Sequence, residues 1–346
     1  MPPLFLRPVL SRALLPLLLL LSVGCRGSAQ VVIPEAEASR PAPDFWSHWG
    51  DGRAELTGYR LTQPRYGAER AGEAVLITVT EDFTRAGRVK TDGGHHDEFP
   101  VVKLNAVRDW QTGVYDYNVM TSTFLPLDGS VRRGIPTKVS FSSQEWCGHI
   151  WEQMRIDGSA AGRTSHSYFD GEADHFETLA IPDGGTFADA MPLLVRGLVG
   201  ELLQPGEQVE VPWLRSAMNR HLNHENTLWG LALLSRSTET TELRVPAGDF
   251  LVETWTATDS TGSTTWFVEA AAPRRLVAWE TSDGERAELT GELRSSYWNQ
   301  NKPGDETLRA KLGLRPVDGA EPTITINRDE ADAPPAPASP APAEVP

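Results

Sequence analysis

Two cysteines, Cys25 and Cys147, are all that this 346-residue chain contains. A framework of several disulfides is therefore excluded, and the fold has to be held by its core. Clustered basic residues are also missing; the best patches are Arg132-Arg133 and Arg274-Arg275. With a formal net charge of −15, that absence argues against a nucleic-acid partner, because phosphate contacts need grouped Lys and Arg. No Gly-x-Ser-x-Gly elbow, P-loop, dinucleotide fingerprint or His-Glu-x-x-His occurs, so the best-marked hydrolase, nucleotide and zinc-protease signatures are absent. After the first 25 residues, no apolar run approaches membrane length.

What the chain does have begins at its start. Arg7 and Arg12 precede an apolar run over 14–21, broken only by Pro16, and Ser22, Val23, Gly24 and Cys25 follow. Charge, apolar core and small residues in that order predict a secretory signal peptide over 1–24. The run is too short to span a bilayer, which needs about 20 apolar residues. The pattern resembles bacterial lipoprotein signals, in which the cysteine is acylated and becomes the new N-terminus. That resemblance implies lipidation at Cys25 and a membrane as partner through the anchor. Arg26 stands where an aspartate would retain some lipoproteins at the inner membrane, which favours the outer one. Removal of Arg7 and Arg12 takes the charge from −15 to −17. With Cys25 acylated, Cys147 has no disulfide partner.

Residues 25–43 read as the lipidated cysteine and a linker rich in Gly, Ser, Ala and Pro, and 318–346 as a Pro/Ala-rich disordered tail. The body, 44–317, predicts a mainly β fold: an antiparallel barrel-like or sandwich shell, divisible at about 182/183 into two halves. Short β-branched runs such as 74–80 alternate with turn pairs at Gly248, Gly262 and Asp283-Gly284. One main helix is expected over about 186–203, capped by Thr186 and ended by Pro205-Gly206, with Leu193, Leu194, Leu198, Leu202 and Leu203 on its apolar face. The pentapeptide Ala54-Glu55-Leu56-Thr57-Gly58 recurs as Ala287-Glu288-Leu289-Thr290-Gly291, each copy shortly after an Asp-Gly turn.

The last third has a spaced pattern: Gly248 before a long strand, Trp266-Phe267-Val268, then Val277-Ala278-Trp279-Glu280 and an Asp-Gly hairpin. It resembles uncharacterised periplasmic proteins with a half-open β-barrel, akin to lipoprotein-carrier shells. The first half resembles uncharacterised exported bacterial lipoproteins through Phe45-Trp46, His48-Trp49-Gly50-Asp51-Gly52 and Gln144-Glu145-Trp146-Cys147-Gly148-His149. The resemblance implies a concave surface able to take an apolar ligand, and carries no activity with it.

Several side-chain groups could bear chemistry. On one strand Cys147 and His149 would share a face, about 6–7 Å apart, with Glu145 placed to orient the histidine. His95 and His96, within Asp92 to Glu98, offer metal ligands that need a further donor such as His149. His221 and His224 suit a metal only on a helix. Asp109, Asp116 and Glu145 could act as glycosidase-like carboxylates beside Trp110 and Tyr115. Trp110, Trp146, Trp151, Trp266 and Trp279 are expected to line a core or pocket.

Together these features predict a membrane-anchored envelope lipoprotein that binds or carries an apolar or lipid-like ligand, without a cofactor. The alternatives are a Cys/His- or metal-dependent envelope enzyme and a structural envelope interaction protein.

Overall fold

The computed structural model describes residues 37–315. The expected signal peptide, Cys25, the first part of the linker and the Pro/Ala tail lie outside the described residues. The chain runs through α1 (Phe45–Trp49), β1 (Ala54–Arg65), β2 (Ala68–Thr84), β3 (Glu98–Thr112), β4 (Tyr115–Pro126), β5 (Lys138–Glu145), β6 (Gly148–Asp157), β7 (Ala160–Ser167) and β8 (His175–Ala180). It continues through β9 (Thr186–Phe187), α2 (Met191–Leu194), β10 (Gln208–Leu214), α3 (Ala217–Leu222), β11 (Trp229–Arg236), β12 (Thr241–Val245), β13 (Gly248–Asp259), β14 (Gly262–Glu269), β15 (Leu276–Thr281) and β16 (Arg286–Ser295).

All sixteen strands belong to one unclosed sheet. Its centre is the antiparallel pair β1–β16. From β1 a meander of hairpins runs outward to β8; from β16 a second wing runs back through β15, β14, β13, β11 and β10 to β9, with β12 beside β13. Only β9 and β10 pair in parallel. The two pentapeptide copies lie against each other at the centre, with Gly58 directly opposite Gly291. On the outer face, the carbonyls of Lys311 and Leu312 press on these two glycines where a Cβ would stand. Thr290 Oγ1 donates to the Leu312 carbonyl at 2.6 Å. The glycines thus let the 3₁₀ segment Asp305–Leu312 lie flat on the sheet, where Leu312 and Leu314 bury against Ala54, Leu56 and Val79.

Strand alternation puts one set of side chains on the concave face. On β6 these are Ile150, Glu152, Met154 and Ile156. The segment 186–222 covers that face and acts as a plug. Phe187, Met191, Leu193, Leu194, Val195, Leu198, Val199 and Leu203 join the sheet residues in the main core. The expected long helix over 186–203 does not form. The segment is β9, a 3₁₀ turn at Ala188–Ala190 and the four-residue α2, and then Gly197 and Gly200 turn with positive φ. Pro192 leaves the first turn intact, but those glycines end the helix three residues beyond α2. The leucines are buried on every side rather than on one stripe, so their spacing reports burial and not a helix face.

The end of the expected linker is also ordered. Ser39 is fully buried: its Oγ donates to the Pro126 carbonyl at 2.7 Å and its N–H to the Val131 carbonyl at 2.9 Å. Asp44 precedes α1 without capping it through its side chain.

Two buried ion clusters fasten the plug. Arg196 reaches Glu55 of β1 at 2.8 Å and the Arg274 carbonyl at 2.7 Å. On α3, Arg220 and His221 reach Glu152 of β6 at 2.6 and 2.9 Å, and Arg163 of β7 completes the group at 2.7 Å. Burial alone would raise the Glu152 pKa, but His221 and Arg220 outweigh it and hold the carboxyl well below the ordinary range. Its contribution to stability is therefore complete above the usual carboxylate pKa of about 4.5 and is lost as the pH falls below it. Glu152→Ala leaves buried guanidinium groups without their shared acceptor and should cost about 3–5 kcal/mol in urea unfolding at pH 7. A loss below about 1 kcal/mol would show that α3 is held by apolar contact alone.

Candidate functional site

The plug does not fill the concave face completely. A cavity of about 150 Å³ remains between it and the sheet, and residues of the β13–β14 and β15–β16 turns line it. Trp213 of β10, Trp266 of β14 and Trp279 of β15 stand in its wall, and Leu76, Leu104 and Ala106 of β2 and β3 form apolar ground. Alternation delivers these groups: Trp266 and Trp279 are register partners on adjacent strands and share the concave side.

Into this apolar frame the chain places charged groups. Glu285 is buried immediately before β16, and its Oε1 accepts from Trp279 Nε1 at 2.6 Å and from Arg108 Nε at 3.3 Å. The Arg108 guanidinium lies 5.3 Å from the Trp279 ring centre. Asp259 Oδ1 accepts from the N–H groups of Thr261 at 2.7 Å and Gly262 at 3.2 Å. Its other oxygen faces Arg215 Nε at 3.4 Å.

Asp189 sits in the plug, half-buried and lining the cavity. One oxygen accepts from the Ala217 N–H at 3.1 Å; the other has no protein donor among the described residues. Loss of hydration raises its pKa to about 6, against the pull of Arg220 and the Ala217 N–H. The site thus offers free acceptors on Asp189 and Glu285, free donors on the Arg108 terminal nitrogens, and indole walls. A cavity near 150 Å³ is the size of one small ring. Donors and acceptors placed around aromatic faces suit a ring that carries hydroxyl groups.

The residues singled out in the sequence are distributed differently. Trp266 and Trp279 line the cavity. Trp110 is buried away from it and stacks on Tyr117 at 4.9 Å. Trp146 is exposed in the β5–β6 turn, its Nε1 donating to Asp116 at 3.1 Å. Trp151 is partly exposed on the convex face, stacked on His166. These last two are not pocket groups.

Cys147 and His149 do not share a strand. Trp146 and Cys147 form the two-residue turn between β5 and β6, which takes Cys147 out of the alternation that would align it with His149. Both are exposed. Glu145 accepts the Cys147 N–H at 2.9 Å; hydrogen bonding of the thiol to that carboxylate, and then the carboxylate's charge, push the thiol pKa up, opposite to what a thiolate nucleophile needs.

His95 and His96 are exposed on the β2–β3 loop, and among the described residues no three metal-type side chains converge. His221 ends α3 on Glu152, whereas His224 lies beyond the helix with positive φ and faces Glu172 at 2.6 Å. Asp109 is exposed and takes a bond from Asn118, its register partner on β4.

Asp189 and Glu285 were missed as site residues. The signal for Asp189 is a lone acid between apolar residues, in Thr186-Phe187-Ala188-Asp189-Ala190-Met191. Glu285 directly follows the Asp283-Gly284 turn, where an acid reads as solvated.

No protein family model, no curated protein and no solved structure matches this chain. The chemistry of the cavity is therefore the basis for assigning it a role.

Because the folded-state pKa of Asp189 lies above its ordinary value, its ionisation opposes folding. The penalty is absent well below pH 4, grows between about pH 4 and 6, and is complete above about 6. Asp189→Asn keeps the acceptor for Ala217 and removes the charge. In urea titrations the variant should gain on the wild type by about 2 kcal/mol between pH 4.5 and 7.5. Parallel stability curves would show that the carboxylate is well hydrated through the cavity.

Proposed function

We propose that this chain is a lipid-anchored envelope protein whose half-open shell binds one small hydroxylated ring, of monosaccharide or cyclitol size. The cavity carries this reading: three indoles with unpaired acceptor and donor groups around a ring-sized space. A long acyl chain would need an extended apolar channel, which a space of about 150 Å³ does not offer. We therefore favour a shorter and more polar ligand than the lipid-like one expected from the half-barrel shape. Trp266 and Trp279 supply the stacking faces, Asp189 and Glu285 accept from ring hydroxyls, and Arg108 donates to them.

The anchor reading rests on the N-terminal pattern alone. Acylation of Cys25 would hold the shell at a membrane, with the outer membrane favoured by Arg26. Cys25→Ser should abolish incorporation of labelled palmitate and release the protein from the membrane fraction. Retention of label would overturn the assignment of that cysteine.

The binding reading is tested by native mass spectrometry of the full chain extracted from its own envelope, followed by indole fluorescence titration with monosaccharides, cyclitols and fatty acids. A retained mass of monosaccharide size, and a fluorescence change with one of the first two classes, are expected. Trp279→Leu should weaken that binding at least tenfold, about 1.4 kcal/mol. A fatty-acid mass, or saturable response to fatty acids alone, would restore the lipid-carrier reading. No response to any of the three would remove the binding role.

A further inference from the structure

The sheet ends on one side at β8, which bonds only to β7. An open edge presents a row of unpaired N–H and C=O groups, and proteins usually blunt such edges with Lys, Pro, a bulge or a cover. β8 reads His175-Phe176-Glu177-Thr178-Leu179-Ala180, with no Lys and no Pro, and its register against β7 is unbroken. Every residue except Leu179 is exposed.

A stripe of rings leads to this edge across the convex face. Trp151 of β6 stacks on His166 of β7 at 5.8 Å, and His166 meets the Phe176 ring edge-on at 5.8 Å. The stripe stops at Phe176, which is 72% exposed. On the other side of the strand, His175 and Glu177 flank Phe176, with Arg163 reaching Glu177 at 2.7 Å.

We propose that β8 pairs antiparallel with β8 of a second copy of this chain, on a two-fold axis that passes through Phe176. In that register the two Phe176 rings meet and the aromatic stripe continues into the second protomer. His175 of each copy then faces Glu177 of the other, which sets an imidazole beside the carboxylate oxygen that Arg163 leaves free, twice over. A shift that centres the pair on residue 175 sets histidine against histidine, and one centred on 177 sets glutamate against glutamate. Of these three registers, only the one through Phe176 sets an imidazole against each carboxylate. The occupant is fixed by self-complementarity: the same six residues supply both the ring contact and the paired polar groups. The pairing is independent of what the cavity binds.

The test is native mass spectrometry of the full chain in mild detergent, with Cys147→Ser to remove the exposed native thiol. A dimer is expected. Phe176→Asp should lower the dimer fraction at least tenfold while leaving the circular dichroism spectrum unchanged. Phe176→Cys should form a disulfide-linked dimer under mild oxidation, since position 176 meets itself on the axis. Glu177→Cys should not, since position 177 meets 175. A monomer at all concentrations would overturn the proposal, as would a dimer indifferent to Phe176→Asp. Equal cross-linking at 176 and 177 would overturn the register.

Discussion

A sheet that curls without closing has an inner face to cover, and this constraint organises the molecule. One segment, 186–222, meets it. Its apolar residues fill the concave side, and two buried ion clusters, Arg196 with Glu55 and Arg220 and His221 with Glu152, fix where it lies. Apolar burial supplies most of the driving force but is indifferent to small slides of the plug. The ion clusters are not, because a shifted guanidinium would leave a carboxylate buried and unpaired. The cavity owes its defined shape to that difference. Where the plug ends against the second wing, the unfilled remainder is bounded by Asp189 on one side and Trp279 on the other.

The charge arrangement around that remainder follows a consistent logic. Glu285 and Asp259 are already engaged by indole, guanidinium and backbone donors. Asp189 has one backbone donor and, among the described residues, no guanidinium within ion-pair distance. A ligand hydroxyl is the group that would complete its shell.

Much of the shell could be read directly from the sequence. The β-branched run over 74–80 lies within β2, and the strands expected around Trp266 and Trp279 form with those residues facing inward. Period-two alternation is a local property, so it survives without knowledge of partners. The plug was harder, because leucines at 193, 194, 198, 202 and 203 satisfy a helical spacing while the glycines between them turn the chain. The site was harder still. Asp189 and Glu285 are separated by almost the whole second wing, and nothing short of the sheet order brings them to one cavity. Cys147 and His149 showed the converse: neighbours in sequence that a two-residue turn sets apart.

The central pair of strands has a consequence for the order in which this molecule can assemble. Ala54 is paired with Ser295, so the middle of the sheet joins the first strand to the last. The wing from β1 to β8 can zip hairpin by hairpin as it emerges, because each of its contacts is with the strand just made. Its inner face then waits for the plug, and the outer side of β1 waits for β16 and the 3₁₀ segment after it. Long-range closure of this kind is slow, and it leaves apolar strands uncovered meanwhile. A nascent chain stalled before residue 286 would therefore carry both wings without the strand that joins them, its seam open, and would be a prime client for a holding chaperone.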